Sequence, residues 1–370
     1  MTIAYDARFS LGQYRGMGRF LRFLIQGREC DFLGFCATGE QDASLKLVAA
    51  GFRFYPLWEQ VSIPHLTRVR NISTFLAPYN TAPLRLPKRV KLVLVVHDLI
   101  FMDRLPLSRS LYQNVGRMYR RLVVPRAIRR ADVVVTVSHY TAEQLASRFG
   151  LDSRRIRVIP NSIAPDWFSS EPVEPATPPY ILAVAGEAPS KNLNRALAAF
   201  ARCRALSQDR ALRFKVAGVK EKFHPAFQAE SAALGIANYV DFLGYISESA
   251  MHRLFQQAAL FIMPSLAEGF GIPILEAMAS GVPVAASSAT SLPEVAGTAA
   301  AYFDPYSTDD MAATMNKILS DSALQASMSA KGRIQSQQFH PDAAGLKVSQ
   351  FWAELCEIAR IEPGSGSAHL

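Results

Sequence analysis

The sequence predicts an α/β protein made of two doubly wound domains, and three observations predict it. Its 370 residues exceed what one ordinary core holds and suit two domains of roughly 150–200 residues each. Short β-branched runs alternate with helical patterns along the whole chain, as in parallel sheets assembled from βαβ units. A proline-dense stretch near the middle divides two such series. Two joined doubly wound domains are expected to face a central cleft, with ligands at the carboxyl ends of the strands.

In the first series, residues 2–5, 32–36, 92–96 and 133–137 read as buried strands, and residues 111–130 as a long basic helix. The second series begins at residues 181–185 and continues through 214–217, 240–243, 260–263 and 282–285. Between them, residues 165–179 hold Pro165, Pro172, Pro175, Pro178 and Pro179. Such density disfavours helix and central strand, so the interdomain linker is expected there. No internal repeat is visible, and the Gly/Ser tail near 364–367 reads as disordered. The start turns polar at Asp6 and Arg8 and so reads as a strand, not a signal peptide. The longest apolar runs, such as 92–96 and 258–264, fall far short of the ~20 residues that span a bilayer, so no segment is expected to cross a membrane.

Composition narrows the function classes. A chain that is 49% hydrophobic and 19% charged is globular. Cys30, Cys36, Cys203 and Cys356 are scattered and form no C-x-x-C pair, which fits reduced cytoplasmic thiols better than a disulfide framework or a zinc site. Residues 1–170 hold 25 Lys and Arg against 12 Asp and Glu, a net of +13, whereas the remainder carries −4. A solvated basic surface is the plain reading. The sharper one is attraction to an anionic surface, either acidic lipid or a phosphate-bearing acceptor. Nucleic acid is disfavoured as a partner, because no helix-turn-helix, zinc or RNA-binding signature accompanies the charge.

The stretch 264–283, PSLAEGFGIPILEAMASGVP, carries the most chemistry. A strand ends near Pro264, a glycine-containing loop follows, and Pro273 suits the first turn of a helix. The start of that helix would offer free N–H groups and its positive dipole end to an anion such as a diphosphate. Glu276, in the first turns, is expected to face the same opening as Glu268, where a carboxylate can accept hydrogen bonds from both hydroxyls of a ribose. A buried helix with an incidental acid explains Glu276 but not the whole string.

Two glutamates seven residues apart, in the setting EGFGxPxxEAMAxGxPV, resemble the E-x7-E motif of the family 4 retaining glycosyltransferases. VVHDL at 95–99, TVSHYT at 136–141, VIPNS at 158–162, SKN at 190–192, VDFLGY at 240–245 and SLPEV at 291–295 extend the resemblance over most of the chain. It implies a GT-B fold of two Rossmann-like doubly wound domains: residues 1–168, basic and on the acceptor side, and residues 169–370, on the nucleotide-sugar side. The last helix is expected to pack back on the N-terminal domain. The resemblance also implies that Glu276 holds the donor's ribose, that Glu268 contacts the transferred sugar, and that the Phe270 and Gly271 amides face sugar and diphosphate. Lys191 matches the family lysine that neutralises the leaving diphosphate, an electrostatic form of catalysis. Ile272, Gly244 and Tyr245 complete the expected donor site. Gly16 and Gly18 open a helix after the first strand and are assigned to the cleft wall near the donor phosphates. Leu21 stands where a dinucleotide fingerprint expects Gly or Ala, which argues against a nicotinamide site. His97 resembles the family histidine on the donor sugar; its expected place at a strand's carboxyl end favours a functional role over a structural one.

There is one departure. Many relatives carry an arginine beside the lysine or shortly after the preceding glycine, where this chain has Glu187 and Ser190. Either another basic residue substitutes, or diphosphate binding leans on the helix dipole. No Asp-x-Asp pair occurs, so the metal site of a GT-A enzyme is not expected and neither metal nor cofactor is required. The sequence context is similar to bacterial mannosyl- and rhamnosyltransferases of surface polysaccharide synthesis. That implies GDP-mannose as donor, a glycan or lipid-diphosphate-linked acceptor, and a place on the cytoplasmic face of the inner membrane. The rival readings are a non-catalytic sugar-nucleotide-binding partner subunit and a sugar-nucleotide epimerase on the same fold.

Overall fold

Parallel sheets bury both faces, so their strands must be apolar along their whole length. In the computed structural model the central strands of two separate sheets are apolar except at end residues such as Asp6, Thr74 and Lys91. The structure describes all residues except 1, 13–15, 27–29, 38–41, 105, 107–109, 169–172, 175, 207–210 and 362–370, and the side chains of 358–361 are also outside it. The Gly/Ser tail, Leu107 and Arg109, Pro172 and Pro175, and residues 13–15 of the first glycine loop therefore lie outside the described residues. The chain divides into two units. One comprises Met1–Phe101, Arg117–Asn161 and Asp342–Leu370; the other comprises Met102–Gly116 and Ser162–Pro341.

The first unit holds β1 (Thr2–Asp6), β2 (Asp31–Cys36), β3 (Leu47–Ala49), β4 (Thr74–Ala77), β5 (Lys91–Val96), β6 (Val133–Thr136) and β7 (Ile156–Val158). They lie in the order β3-β2-β1-β4-β5-β6-β7, every neighbouring pair parallel. The second unit holds β8 (Tyr180–Val184), β9 (Arg213–Ala217), β10 (Val240–Gly244), β11 (Leu260–Met263), β12 (Val284–Ser287) and β13 (Ala300–Phe303). Their order is β10-β9-β8-β11-β12-β13, again all parallel. Strand order reverses between β1 and β4 in one sheet and between β8 and β11 in the other. Those are the places where a doubly wound fold opens a crevice.

The strands β3, β4, β7 and β13 go beyond the expected set, and β12 begins two residues later than expected. Pro283 explains the shift: it has no N–H to give to a ladder, and its carbonyl instead accepts from Phe261 N at 2.9 Å, just before β12 begins.

The basic segment forms one helix, Leu111–Arg130, with Pro125 inside it. Val123, Val124, Ala127 and Ile128 are its buried residues, while Leu111, Val115, Met118 and Leu122 recur at helical spacing on an exposed stripe. The helix Pro341–Ile361 belongs to the first unit from Asp342 onward. Its Trp352 is fully buried, donates Nε1–H to Leu24 O at 2.7 Å and meets Phe32 edge-on at 5.1 Å.

At the first unit's strand reversal two carboxylates are buried. Asp6, the last residue of β1, accepts from Arg8 N at 3.1 Å and from Trp58 Nε1 at 3.2 Å. Glu59 lies in a π-helical turn, Trp58–Ser62, and accepts from Tyr55 Oη at 2.9 Å, Gln60 Nε2 at 2.7 Å, Tyr119 Oη at 2.5 Å and Thr81 Oγ1. Burial pushes the Asp6 carboxyl from near 3.8 up to about 7, and burial likewise raises Glu59. A carboxyl raised on folding binds its proton more tightly in the folded state. The Asp6 contribution to stability is therefore complete below pH ~4 and is lost as pH climbs towards 7, a change on the order of 4 kcal/mol. Urea midpoints of wild type and Asp6→Asn measured from pH 4 to 7 should diverge steadily, with wild type losing ground. Parallel profiles would contradict the protonated assignment.

Candidate active site

In the second unit the loops leaving β8 and β11, on either side of the strand reversal, are fastened to each other. Asn192 adopts a left-handed conformation (φ 57°) and is buried; its Nδ2 donates to Pro264 O at 2.9 Å and to Pro305 O at 2.7 Å. Leu266 N donates to Ser190 O at 2.7 Å between the same two loops. One asparagine thus ties together the carboxyl-end loops of β8, β11 and β13.

This fastening brings Lys191 and Glu268 together. Lys191 Nζ lies 2.6 Å from Glu268 Oε1, and Ser265 Oγ donates to the same oxygen at 2.6 Å. The Glu268 side chain is only 12% exposed, so its charge is held by short, directed bonds and little by solvent. Its backbone is fixed as well: Glu268 N donates to Thr290 Oγ1 at 3.1 Å, and Ser291 Oγ donates to Glu268 O at 3.0 Å and to Phe270 O at 3.1 Å.

Gly271 caps the helix Ile272–Ala279 with φ 111°, a conformation L side chains rarely adopt, and a Cβ there would stand 2.7 Å from Leu292 Cδ2. No side chain caps this end, and Pro273 occupies the first turn. Glu276 is a buried residue of the same helix. The Phe270 ring is buried and meets Phe339 edge-on at 5.6 Å, which leaves its main chain for any ligand contact. Gly244 ends β10 with φ 66°, and Tyr245 beyond it is exposed.

The remaining predicted site residues belong to the first unit. Gly16 and Gly18 lie in the first turn of the helix Gly16–Leu24, whose Phe20 meets the His97 ring edge-on at 5.2 Å. His97 directly follows β5 and is buried, and its N–H donates to Asn80 Oδ1 at 2.6 Å. Its Nε2 lies 2.9 Å from Pro78 O, and because a carbonyl can only accept, that nitrogen carries the hydrogen and Nδ1 presents the lone pair. Burial lowers the imidazole to about 4, so His97 is neutral at physiological pH. It can accept or relay a hydrogen bond but brings no charge.

Sequence reasoning missed Asn192 as the fastener, Ser265 as the second donor to Glu268, and Lys220, whose Nζ lies 3.2 Å from Glu187 Oε1. Asn192 was within reach, because SKN placed an asparagine directly after the key lysine. Ser265 reaches Glu268 through the turn of their shared loop, and Lys220 depends on a pairing between the loops of neighbouring strands; no local pattern announces either.

Two Rossmann-like parallel sheets, each with a strand reversal, define the GT-B architecture, and at the reversal of the second a lysine and a glutamate are joined. Residues 167–335 match the family described as Glycosyl transferases group 1, and residues 52–167 match Glycosyltransferase Family 4. The chain belongs to the family 4 glycosyltransferases. It is 30% identical over 296 residues to the serotype-specific mannosyltransferase WbdA of Escherichia coli, a match covering 75% of this chain and 35% of that protein. It is 29% identical over 166 residues to the O-antigen chain mannosyltransferase RfbU of Salmonella typhimurium, covering 45% of each. The chain thus spans about a third of the length of the WbdA relatives it matches. Among solved structures, sucrose-phosphate synthase from Thermosynechococcus elongatus superposes with a TM-score of 0.73 at 16% identity, covering 96% of this chain and 99% of that one. WaaG, a glycosyltransferase involved in lipopolysaccharide biosynthesis, does so at 0.70 and 15% identity, covering 95% and 99%. These likenesses establish the fold.

Replacing Asn192 by Ala strands two buried carbonyls and leaves alanine in a left-handed conformation, a loss of about 2–4 kcal/mol. Thermal melts should fall accordingly. Asn192→Asp, which keeps the shape but not the donor, should fall nearly as far, and a melt within a degree of wild type would show that the loops are held otherwise.

Proposed function

We propose that this chain is a retaining, metal-independent hexosyltransferase. It moves a sugar, mannose from GDP-mannose as the first choice, from a nucleotide diphosphate to a glycan or lipid-diphosphate-linked acceptor. The observation that carries this is the Lys191–Glu268 pair at the strand reversal, beside the helix that bears Glu276. The names of the relatives, a serotype-specific mannosyltransferase and an O-antigen chain mannosyltransferase, support the sugar.

The roles follow from charge. As the bond from the anomeric carbon to the diphosphate breaks, negative charge grows on the departing oxygen. Lys191, already desolvated on one side, is positioned to meet it. Glu268, released from part of its hold on the lysine, takes hydrogen bonds from the transferred sugar's hydroxyls and offsets positive charge at the reacting carbon. Glu276 accepts from the ribose, and the amides at the start of its helix complete the cradle together with Gly244 and Tyr245. His97, neutral with an open Nδ1, fits a hydrogen-bonding role towards the sugar, and the Gly16 and Gly18 turn a role beside it.

A screen of GDP, UDP, dTDP and ADP sugars by thermal shift identifies the donor, since a ligand that binds only the folded state raises its melting point. With that donor, Glu276→Ala should raise KM through loss of charge-assisted bonds of about 1.5–3 kcal/mol each, while Glu268→Ala should depress kcat more than binding. NMR of the first-formed product from an α-linked donor should show an α-linkage, with turnover unchanged in EDTA. A β-linked product, or activity that dies in chelator and returns with Mg²⁺, would contradict the mechanism.

The acceptor side is read as facing an anionic membrane on the cytoplasmic face. No helix among the described residues is long and apolar enough to cross a bilayer. The exposed stripe of Leu111, Val115, Met118 and Leu122 shares its helix with Arg126, Arg129 and Arg130, and each basic residue near anionic lipid contributes about 1 kcal/mol. Co-sedimentation with anionic but not neutral liposomes is expected, weakening as the Debye length falls from ~10 Å at 0.1 M to ~3 Å at 1 M salt. Equal binding to both kinds of vesicle, or to neither, would remove the membrane from the reading.

A further inference from the structure

We propose that Lys220 is the second cation of the diphosphate site, standing in for the arginine that many relatives place beside Lys191; the inference rests on the donor reading above. Glu187 occupies one of that arginine's positions, and its side chain is only 4% exposed. A carboxylate so enclosed needs a compensating cation close by. The cation is Lys220, 3.2 Å away and itself 60% exposed, while Gln113 Nε2 donates to the same Glu187 oxygen at 3.0 Å.

The loop bearing Lys220 is built to sit there. It leaves β9, the neighbour of β8, where Val184 pairs with Ala217 and Ala185 N donates to Ala217 O at 2.9 Å. Gly218 turns with φ 98°, and a Cβ on it would stand 2.8 Å from Ala185 O, so only glycine lets the two loops approach this closely. On the other side Gly218 N donates to Gly244 O at 2.8 Å, and the His224 ring nitrogen lies 3.0 Å from Val219 O. A backbone bond on one side and the His224 ring on the other therefore hold the root of Lys220 while its ammonium reaches solvent.

The result is two lysine–carboxylate pairs astride the β8 loop. Lys191 and Glu268 stand on the β11 side, and Lys220 and Glu187 on the β9 side. An ammonium has three N–H donors. One of them on Glu187 fixes the direction of Lys220 and leaves others for phosphate oxygen. The positive charge that relatives supply from the β8 loop is supplied in this chain from the β9 loop, and Glu187 is its aiming device.

The test uses the full chain and whichever of GDP, UDP, dTDP and ADP stabilises it, together with the matching nucleoside monophosphate. Calorimetric titration of K220M should show the diphosphate weakened about 10-fold or more, as for loss of a charge-assisted bond, with the monophosphate changed less than about 3-fold. K220R should keep most of the diphosphate affinity, which separates lost charge from a disturbed loop. E187Q should bind the diphosphate with a shallower dependence on lysine 220 in the double variant E187Q/K220M. K191M in the same assay reports on the underlying reading. If K191M loses the diphosphate while K220M matches wild type, Lys220 has no phosphate role, and if K220M loses both nucleotides equally, Lys220 is not the second cation of the diphosphate. If none of the four diphosphates binds wild type, or K191M is unaffected, the donor reading falls and this inference falls with it.

Discussion

A parallel sheet delivers the carboxyl end of every strand to the same edge, and the chemistry of the second unit depends on that constraint. Residues 191, 220, 244 and 268 are far apart along the chain, yet all lie at or beyond the carboxyl ends of β8, β9, β10 and β11. The sheet by itself sets their neighbourhood only to within a loop's reach. Backbone carbonyls gathered on Asn192, and glycines at 218, 244 and 271 in conformations other residues avoid, reduce that reach to hydrogen-bond distances.

The two units treat charge differently. In the second, Glu268 lies 2.6 Å and Glu187 3.2 Å from a lysine ammonium, so the site holds both signs in close balance. In the first, Asp6 and Glu59 are surrounded by hydroxyl, amide and indole donors, and burial drives both towards their protonated forms. His97 is likewise kept neutral.

Where the sequence was legible, a single physical signal was strong enough to stand alone. β11 and the helix Leu111–Arg130 were expected at the residues where they occur, the first as an unbroken apolar run and the second through its length and charge. β13, Ala300–Phe303, was hidden because alanine favours strands weakly, and β4 because four buried residues ending against Pro78 show no alternation. The π-helical turn that turns Glu59 inward has no sequence signature. At the site, Glu268, Lys191 and Glu276 were legible through family resemblance and the loop-then-helix pattern. Lys220 was not, because its meaning comes from a neighbouring strand.

The burial of Trp352 also orders events in time. The first unit is closed by a side chain synthesised 328 residues after Leu24, to whose carbonyl it is bonded. At about 5–20 residues per second a ribosome needs roughly 15–65 s to cover that distance. During that interval Phe32 and the end of the first helix lack the indole that covers them in the finished fold. The unit that begins first is therefore the one completed last, and its newborn apolar slot is open to chaperones for longer than anything in the unit made after it.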